Sequence, residues 1–495
     1  MKSSEKIVKG VFWTTALNIV NAVYGFIAVP ILINHFGKAE YGLIGLAMSI
    51  NVYLRLMDMG FSSTNVRFFS TWLTEHNKEK VKKALQTSLC FYGFIGLLNG
   101  LILIIVSVYS NFIFNVSPDQ ERILKSLLYI LALSAICNWL YASLDQFLRA
   151  TENVAWIQRI QLIPKCIQII VLFATVYFNF SIELYYFLTV LTSILIIPFL
   201  IKKIKSVVHY INFMPKIDRN IFMEMLPYSF NIFSFGLFQF SFYNLRPVFL
   251  AMEGTIESVA DYRILNGIIG IVHMIGGAFI PVLLPSTAKI LAQHNMDAFN
   301  RVAYDGTKYI SILLCFCTFG MMSVGSEVLS IYVGKDFLYL IPWFNIWLLC
   351  NLVTHNQAIS SLILAGTDIR AISYCSVFAS VVGLAVSWIL IPYFQVGGTV
   401  IGFVVYGLIQ MSFFYLYYWP KVMKIDSLRV FYYSFGPYLV IGLLIFYGIS
   451  LLPVYNNDWI NLLSHGCTFA VLYIIFVLIT LRKSDRLFLK NVIKK

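Results

Sequence analysis

The sequence predicts an all-α, multi-pass membrane protein, and three observations carry that prediction. Of 495 residues, 59% are hydrophobic and 12% charged, with a mean hydropathy of +0.79, whereas a soluble domain carries about 25% charged residues to coat its surface. The apolar residues gather in runs of about 20, the length that crosses a bilayer as a helix. Between the runs lie short polar stretches whose basic content alternates from one to the next. Composition excludes a soluble enzyme, a nucleic-acid binder and a disordered scaffold, and the net charge of +13 becomes a question of placement.

Fourteen spans are expected, near residues 9–34, 40–62, 84–114, 122–148, 155–178, 183–201, 225–251, 259–285, 305–333, 339–365, 370–392, 399–419, 431–453 and 459–481. The first opens straight into the second with no small-residue cleavage site, so the N-terminus is expected to stay attached as span one. With an even number of spans, both termini share one side of the membrane. Most of the 36 Lys and Arg fall on that side, including Lys78, Lys80, Lys82 and Lys83, the cluster from Lys202 to Arg219, and the tail from Arg482 to Lys495. The opposite side has Lys38 and Lys335, with Arg122 and Lys125 at a span start. The positive-inside rule makes the termini cytoplasmic. The charge is therefore topology, with some contact to anionic headgroups, and nucleic acid is not needed as a partner. All eight cysteines lie within apolar runs, as small hydrophobes do, so neither a disulfide framework nor a metal site is expected.

Sliding the chain against itself reveals a repeat. Ala39-Glu40-Tyr41 answers to Ala260-Asp261-Tyr262, Leu73, His76 and Asn77 to Leu291, His294 and Asn295, and Ala150-Thr151-Glu152 to Gly366-Thr367-Asp368. Each repeat holds six spans, an even number, so both enter the membrane in one direction as parallel repeats. The expected organisation is an N-terminal six-helix half (1–201), a cytoplasmic linker (202–224), a C-terminal six-helix half (225–419), and an extra helix pair with a basic tail (420–495). Two-bundle proteins of this kind place a substrate cavity between halves.

An ionisable group at bilayer depth costs about 2.5–3.5 kcal/mol or more, so each needs a partner or a water-filled cavity. Arg55 and Asp58 lie three apart in span two, and Asp145 and Arg149 one turn apart in span four. Either couple reads as a self-neutralising pair or as functional groups. Arg149, Asp261, Arg263 and Lys308 sit close enough to span ends to snorkel. Lys165 and Arg246 have no acidic neighbour one turn away and are better placed to bind an anion. His273 and His355 read first as hydrogen-bonded interior histidines, with proton coupling as the functional alternative. Of the 30 Tyr and 42 Phe, most suit the lipid face or interfacial belts. With no phosphate-cradling glycine loop and no long extramembrane segment, a transporter of this kind must draw on an ion gradient, a substrate gradient or a partner's work.

The first seventy residues carry a resemblance. Lys9-Gly10-Val11-Phe12-Trp13, Asn18, Gly25, Pro30-Ile31-Leu32, Phe36-Gly37 and Glu40-Tyr41-Gly42, followed by Asp58-Met59-Gly60-Phe61-Ser62 and Arg67-Phe68-Phe69-Ser70, resemble the opening of the polysaccharide exporter family. These are Wzx-type flippases within the multidrug/oligosaccharidyl-lipid/polysaccharide exporter superfamily. Glu327-Val328-Leu329 and the segment from Gly334 to Phe337 are also similar to it. The resemblance implies translocation of undecaprenyl-pyrophosphate-linked oligosaccharide repeat units, of O-antigen or capsule type, from the cytoplasmic to the outer leaflet of a bacterial inner membrane. It implies alternating access through a V-shaped cavity between halves, no cofactor beyond a coupling proton or sodium ion, and a polysaccharide polymerase and chain-length regulator as candidate partners. Asp58, Gly60 and Arg67 match the family's span-two motif. In span seven many relatives carry an acidic residue where this chain reads Asn244-Leu245-Arg246-Pro247, which favours anion binding there.

A pyrophosphate crossing hydrocarbon needs compensating cations, and guanidinium forks suit its oxygens. Arg55, Arg246 and Lys165 are thus the expected pyrophosphate ligands, Asp58, Asp145 and His273 the candidates for ion coupling or charge pairing, and Arg67 and Arg149 for a cytoplasmic gate. The rivals are a drug antiporter, which would want an acidic cavity, a peptidoglycan-precursor flippase, a membrane polysaccharide polymerase or ligase, for which every outer loop here is short, and a non-transporting scaffold.

Overall fold

In the computed structural model, described for residues 3–277, 279–366 and 370–481, every regular element is helical. The basic tail from Arg482, and Thr367 and Asp368 of the third repeat match, lie outside the described residues.

Eleven helices among the described residues are long and apolar enough to cross a membrane. They coincide with expected spans one, three to six, and nine to fourteen. Spans two, seven and eight are helical too, but each is broken or polar. Span two runs as helix Lys38–Tyr53, a 3-10 turn Leu54–Asp58, and helix Phe61–Thr74, with Met59 and Gly60 left-handed at φ 49° and 79°. Span seven breaks at Leu245, between helices Arg219–Asn244 and Arg246–Glu253, where Pro247 removes an amide donor. Span eight begins in helix Ile256–Gly277, which carries Asp261 and Arg263 in its first turns. Backbone freed in this way is tolerated at membrane depth only where protein or a wet cavity, not lipid, surrounds it.

Local chemistry explains where elements start. Helix Pro118–Ala150 opens with a reciprocal cap in which Ser117 Oγ accepts the Gln120 N–H and Gln120 Oε1 accepts the Ser117 N–H at 3.0 Å. Pro118 fills the first helical position, where its missing N–H costs nothing. This helix packs tightly on Lys78–Val108 through Gly96 and Gly100. A Cβ on Gly96 would lie 2.7 Å from the Ile136 Cα, so the backbones touch and dispersion does the work that hydrophobic burial does in water. Beneath them Phe69, Phe147, Leu148, Leu200 and Ile204 are fully buried.

The chain forms two compact units that divide between Arg263 and Ile264. The six-plus-six division expected from sequence concerns repeats, whereas this one follows packing. Helix Arg219–Asn244 of span seven packs on Phe61–Thr74 and Lys78–Val108 within the first unit. The preceding linker is tied to the same helix, the Lys216 N–H donating to Gln86 O at 3.3 Å and the Asp218 N–H to Thr87 Oγ1 at 3.0 Å.

The repeat reappears in the backbone. His76 and His294, 218 positions apart, are both left-handed, at φ 57° and 50°. Each ends a helix with the same pair of bonds, His76 N–H to Leu73 O and Asn77 N–H to Trp72 O, His294 N–H to Leu291 O and Asn295 N–H to Ile290 O. The following Asn then caps the next helix, Asn77 accepting from Lys80 N–H at 3.1 Å and Asn295 from Ala298 N–H at 3.0 Å. Asn179 and Gln395, 216 apart, both have positive φ, 54° and 51°, although only Asn179 is left-handed helical, Gln395 having ψ −123°. The Ala39 and Ala260 match is less regular, because its helices start at Lys38 and Ile256.

The second unit buries Tyr418 and Trp419 of the π-helical stretch Phe414–Met423, and a second such stretch follows at Val430–Phe435. His355, fully buried, donates from Nδ1 to Leu352 O and accepts the Tyr415 hydroxyl at Nε2, both at 2.8 Å, and stacks on Phe435 at 4.1 Å. It is the hydrogen-bonded interior histidine that its apolar surroundings suggest.

Candidate functional site

A cavity of about 1640 Å³ opens inside the first unit. Its walls come from helix Ser3–Phe36 with Asn21, Tyr24 and Gly25, from broken span two between Tyr41 and Ser70, and from helix Pro118–Ala150 with Tyr141, Asp145 and Arg149. Helix Leu162–Phe178 adds Lys165 and Gln168, helix Ile182–Ile194 adds Tyr185 and Tyr186, and spans seven and eight add Tyr243, Asn244 and Arg263. The broken or polar spans two, seven and eight are thus all among those that face this space, beside several of the long apolar helices.

Five cations line the cavity, Arg55, Arg67, Arg149, Lys165 and Arg263, against two carboxylates, Asp58 and Asp145. Arg149 Nε donates to Asp145 Oδ2 at 2.6 Å and Nη2 to Oδ1 at 3.4 Å, so that couple is a neutralising pair. Asp58 is engaged by two donors, the Tyr92 hydroxyl at 2.5 Å and the Ser62 N–H at 3.1 Å, the latter one of the free amides at the start of helix Phe61–Thr74. Among the described residues no ion pair joins Asp58 to Arg55, whose side chain is exposed. Lys165 Nζ donates to Gln168 Oε1 at 2.9 Å and lies 5.0 Å from the Tyr24 ring centre. Arg67 is stacked 4.2 Å from the Tyr228 ring on span seven. Arg263, close enough to a span end to snorkel by sequence alone, instead reaches the Gly45 carbonyl at 3.4 Å and lines the cavity.

Arg55, Lys165, Asp58, Asp145, Arg67 and Arg149 are therefore brought to one space, and two other expected site residues are not. Arg246 is only 2% exposed and lies 5.1, 5.7 and 5.4 Å from the ring centres of Phe242, Tyr243 and Tyr262. Ring quadrupoles meet its charge there, and the cavity wall passes it by. His273 belongs to the second unit, is exposed, and has Nδ1 3.3 Å from Asn351 Oδ1. Sequence did not single out Tyr92, Gln146 or Asn65, neutral polar residues scattered through apolar runs, yet they form a buried network behind Asp58.

With Arg149 paired, the remaining side chains leave the cavity electropositive, and low-dielectric walls focus such a field. The arrangement suits a multiply charged anion, with tyrosine and amide side chains beside the cations on the walls where neutral polar groups would lie. Among the described residues no group of three or more His, Cys, Asp or Glu could hold a metal ion.

Residues 7–291 match the family model described as polysaccharide biosynthesis protein. Among curated proteins no sequence matches. In fold the chain is similar to the lipid II flippase MurJ in an inward closed conformation, with a TM-score of 0.75 and 16% identity over 98% of this chain and 100% of that one. It is also similar to the eukaryotic MATE transporter AtDTX14, with a TM-score of 0.56 and 14% identity over 86% of this chain and 98% of that one. Both of those solved structures are of membrane transporters, and the likeness to them is one of fold. Together with the motifs of its first seventy residues, the match places this chain in the polysaccharide biosynthesis protein family, with the multi-pass fold of the MurJ and MATE transporters.

Proposed function

We propose that the protein is a flippase that carries undecaprenyl-pyrophosphate-linked oligosaccharide repeat units, of O-antigen or capsule type, from the cytoplasmic to the outer leaflet of a bacterial inner membrane. The observation that carries this reading is the cavity: among its lining side chains cations outnumber carboxylates five to two, in a space of about 1640 Å³. Drug-sized pockets run to roughly 300–1,000 Å³, so the volume suits a larger polar cargo. Arg55, Lys165 and Arg263 are the pyrophosphate ligands in this reading, and the tyrosines and amides of the walls face the sugars. Arg246 supports the wall from behind. Arg67 on Tyr228, and Arg149 with Asp145, serve as the cytoplasmic gate, and a proton or sodium ion drives alternating access.

The basic excess speaks against a drug antiporter for lipophilic cations, which would want acidic walls. A peptidoglycan-precursor flippase remains the second reading, favoured by the fold similarity to the lipid II flippase. Deleting the gene and assaying lipid-linked repeat units and finished surface polysaccharide separates the two. Loss of polymer, with repeat units accumulating on the cytoplasmic leaflet, is the expected result. Accumulation on the outer leaflet would mean an enzyme acting after translocation, and unchanged polymer with arrested wall synthesis would favour the second reading.

A further inference from the structure

Arg55 and Asp58 stand three residues apart on the wall of the cavity, where a carboxylate so close is the natural partner for a guanidinium, yet no ion pair joins them among the described residues. The reason lies behind the wall. Asp58 Oδ1 accepts the Tyr92 hydroxyl at 2.5 Å, and Tyr92 itself is fully buried. The Tyr92 oxygen accepts Gln146 Nε2 at 2.9 Å, and Gln146 Oε1 accepts Asn65 Nδ2 at 2.7 Å. The same Asn65 nitrogen reaches Ser88 Oγ at 2.9 Å, which meets Ser143 Oγ at 2.8 Å. Asn65, Ser88, Ser143 and Gln146 are all buried.

From Asn65 through Gln146 and Tyr92, each bond has its donor pointing toward Asp58. Hydrogen bonds aligned in this way polarise one another, so the last is stronger than it would be alone. The other carboxylate oxygen takes the Ser62 N–H at 3.1 Å. Both oxygens are thereby engaged by fixed donors, and neither is paired with Arg55 among the described residues. A tethered carboxylate competes with any incoming anion at high effective concentration, so its restraint matters to binding.

Resting on the reading of the cavity as a pyrophosphate site, we propose that Tyr92 is a positioning residue, whose hydroxyl holds the Asp58 carboxylate off Arg55 and so keeps that guanidinium available to the substrate's phosphates. Tyr92 touches no substrate in this account. It acts only through Asp58, and that dependence makes the inference testable by a double-mutant cycle.

The full chain in nanodiscs of zwitterionic lipid would be titrated with inorganic pyrophosphate, as wild type, Arg55→Ala, Tyr92→Phe, Asp58→Asn and Tyr92→Phe with Asp58→Asn. Freed from Tyr92, the carboxylate pairs with Arg55, and Tyr92→Phe is expected to bind about tenfold more weakly, the scale of one charge-assisted hydrogen bond. Removing the carboxylate removes the competitor, so the double variant is expected to bind as Asp58→Asn does. Tyr92→Phe binding like wild type while Arg55→Ala loses affinity would overturn this inference alone. A double variant as weak as Tyr92→Phe would also overturn it, marking the tyrosine as merely structural. If Arg55→Ala bound like wild type, the pyrophosphate reading would fall and this inference with it.

Discussion

Cation placement decides which charged residues matter. Arg55 and Lys165 open onto the cavity, whereas Arg246 is sheathed by three rings. We therefore expect Arg55→Ala and Lys165→Ala each to reduce repeat-unit flux per molecule without lowering the amount of folded protein. Arg246→Ala should do the reverse, losing stability on the order of 2 kcal/mol as its ring contacts vanish and leaving flux per surviving molecule unchanged. Quantifying folded protein by fluorescence-detected size exclusion, beside surface polysaccharide, checks both. The sequence held part of this distinction: Phe242 sits one turn before Arg246, a spacing that already hints at ring contact. It could not show Tyr262 arriving from another helix, nor separate Lys165 from Arg246 on the absence of acidic neighbours alone. Asn65, Ser88 and Gln146 were illegible for a similar reason, since neutral polar residues acquire meaning only when tertiary structure brings their helices together.

At the scale of elements, glycine has different consequences depending on what it faces. Gly96 is pressed against Ile136, while a side chain at cavity-lining Gly25 would meet nothing within 4 Å. Gly96→Leu is expected to destabilise the protein by about 1–3 kcal/mol or more through overpacking, read as a lowered Tm. Gly25→Leu should leave Tm nearly unchanged yet obstruct flux, because the new side chain occupies substrate space. In the break of span two, Gly60 has φ 79°, and Gly60→Ala should cost roughly 1–2 kcal/mol from left-handed strain. The helix stop before Asn77 and the capping box at Ser117 follow from local sequence and could be read there. The break itself is less legible, since residues 40–62 form one apolar run. Its signal was Gly60 between Asp58 and the Ser62-Ser63-Thr64 triplet, a glycine followed by helix-capping residues.

Across the whole molecule, recurring positive-φ residues at offsets of 218 and 216 give the sequence repeat a backbone counterpart. The fold class and most spans were legible because bilayer thickness sets run length. The division at Arg263 was not, because hydropathy does not tell which helices pack together. The basic loops predict that single cysteines introduced at Glu152 and Asn295 are shielded from a membrane-impermeant thiol reagent added to intact cells, while those at Asn179 and Lys335 are labelled. The reverse pattern would invert the topology. The most direct test of the central claim is transbilayer movement in proteoliposomes containing the purified chain and an undecaprenyl-pyrophosphate-linked oligosaccharide, followed by access of an external glycan-modifying enzyme under an imposed proton or sodium gradient. The account predicts that wild type exposes the glycan pool well beyond the outer leaflet's share and that Arg55→Ala does not. Exposure no greater than in protein-free vesicles under either gradient, or full movement in Arg55→Ala, would contradict it.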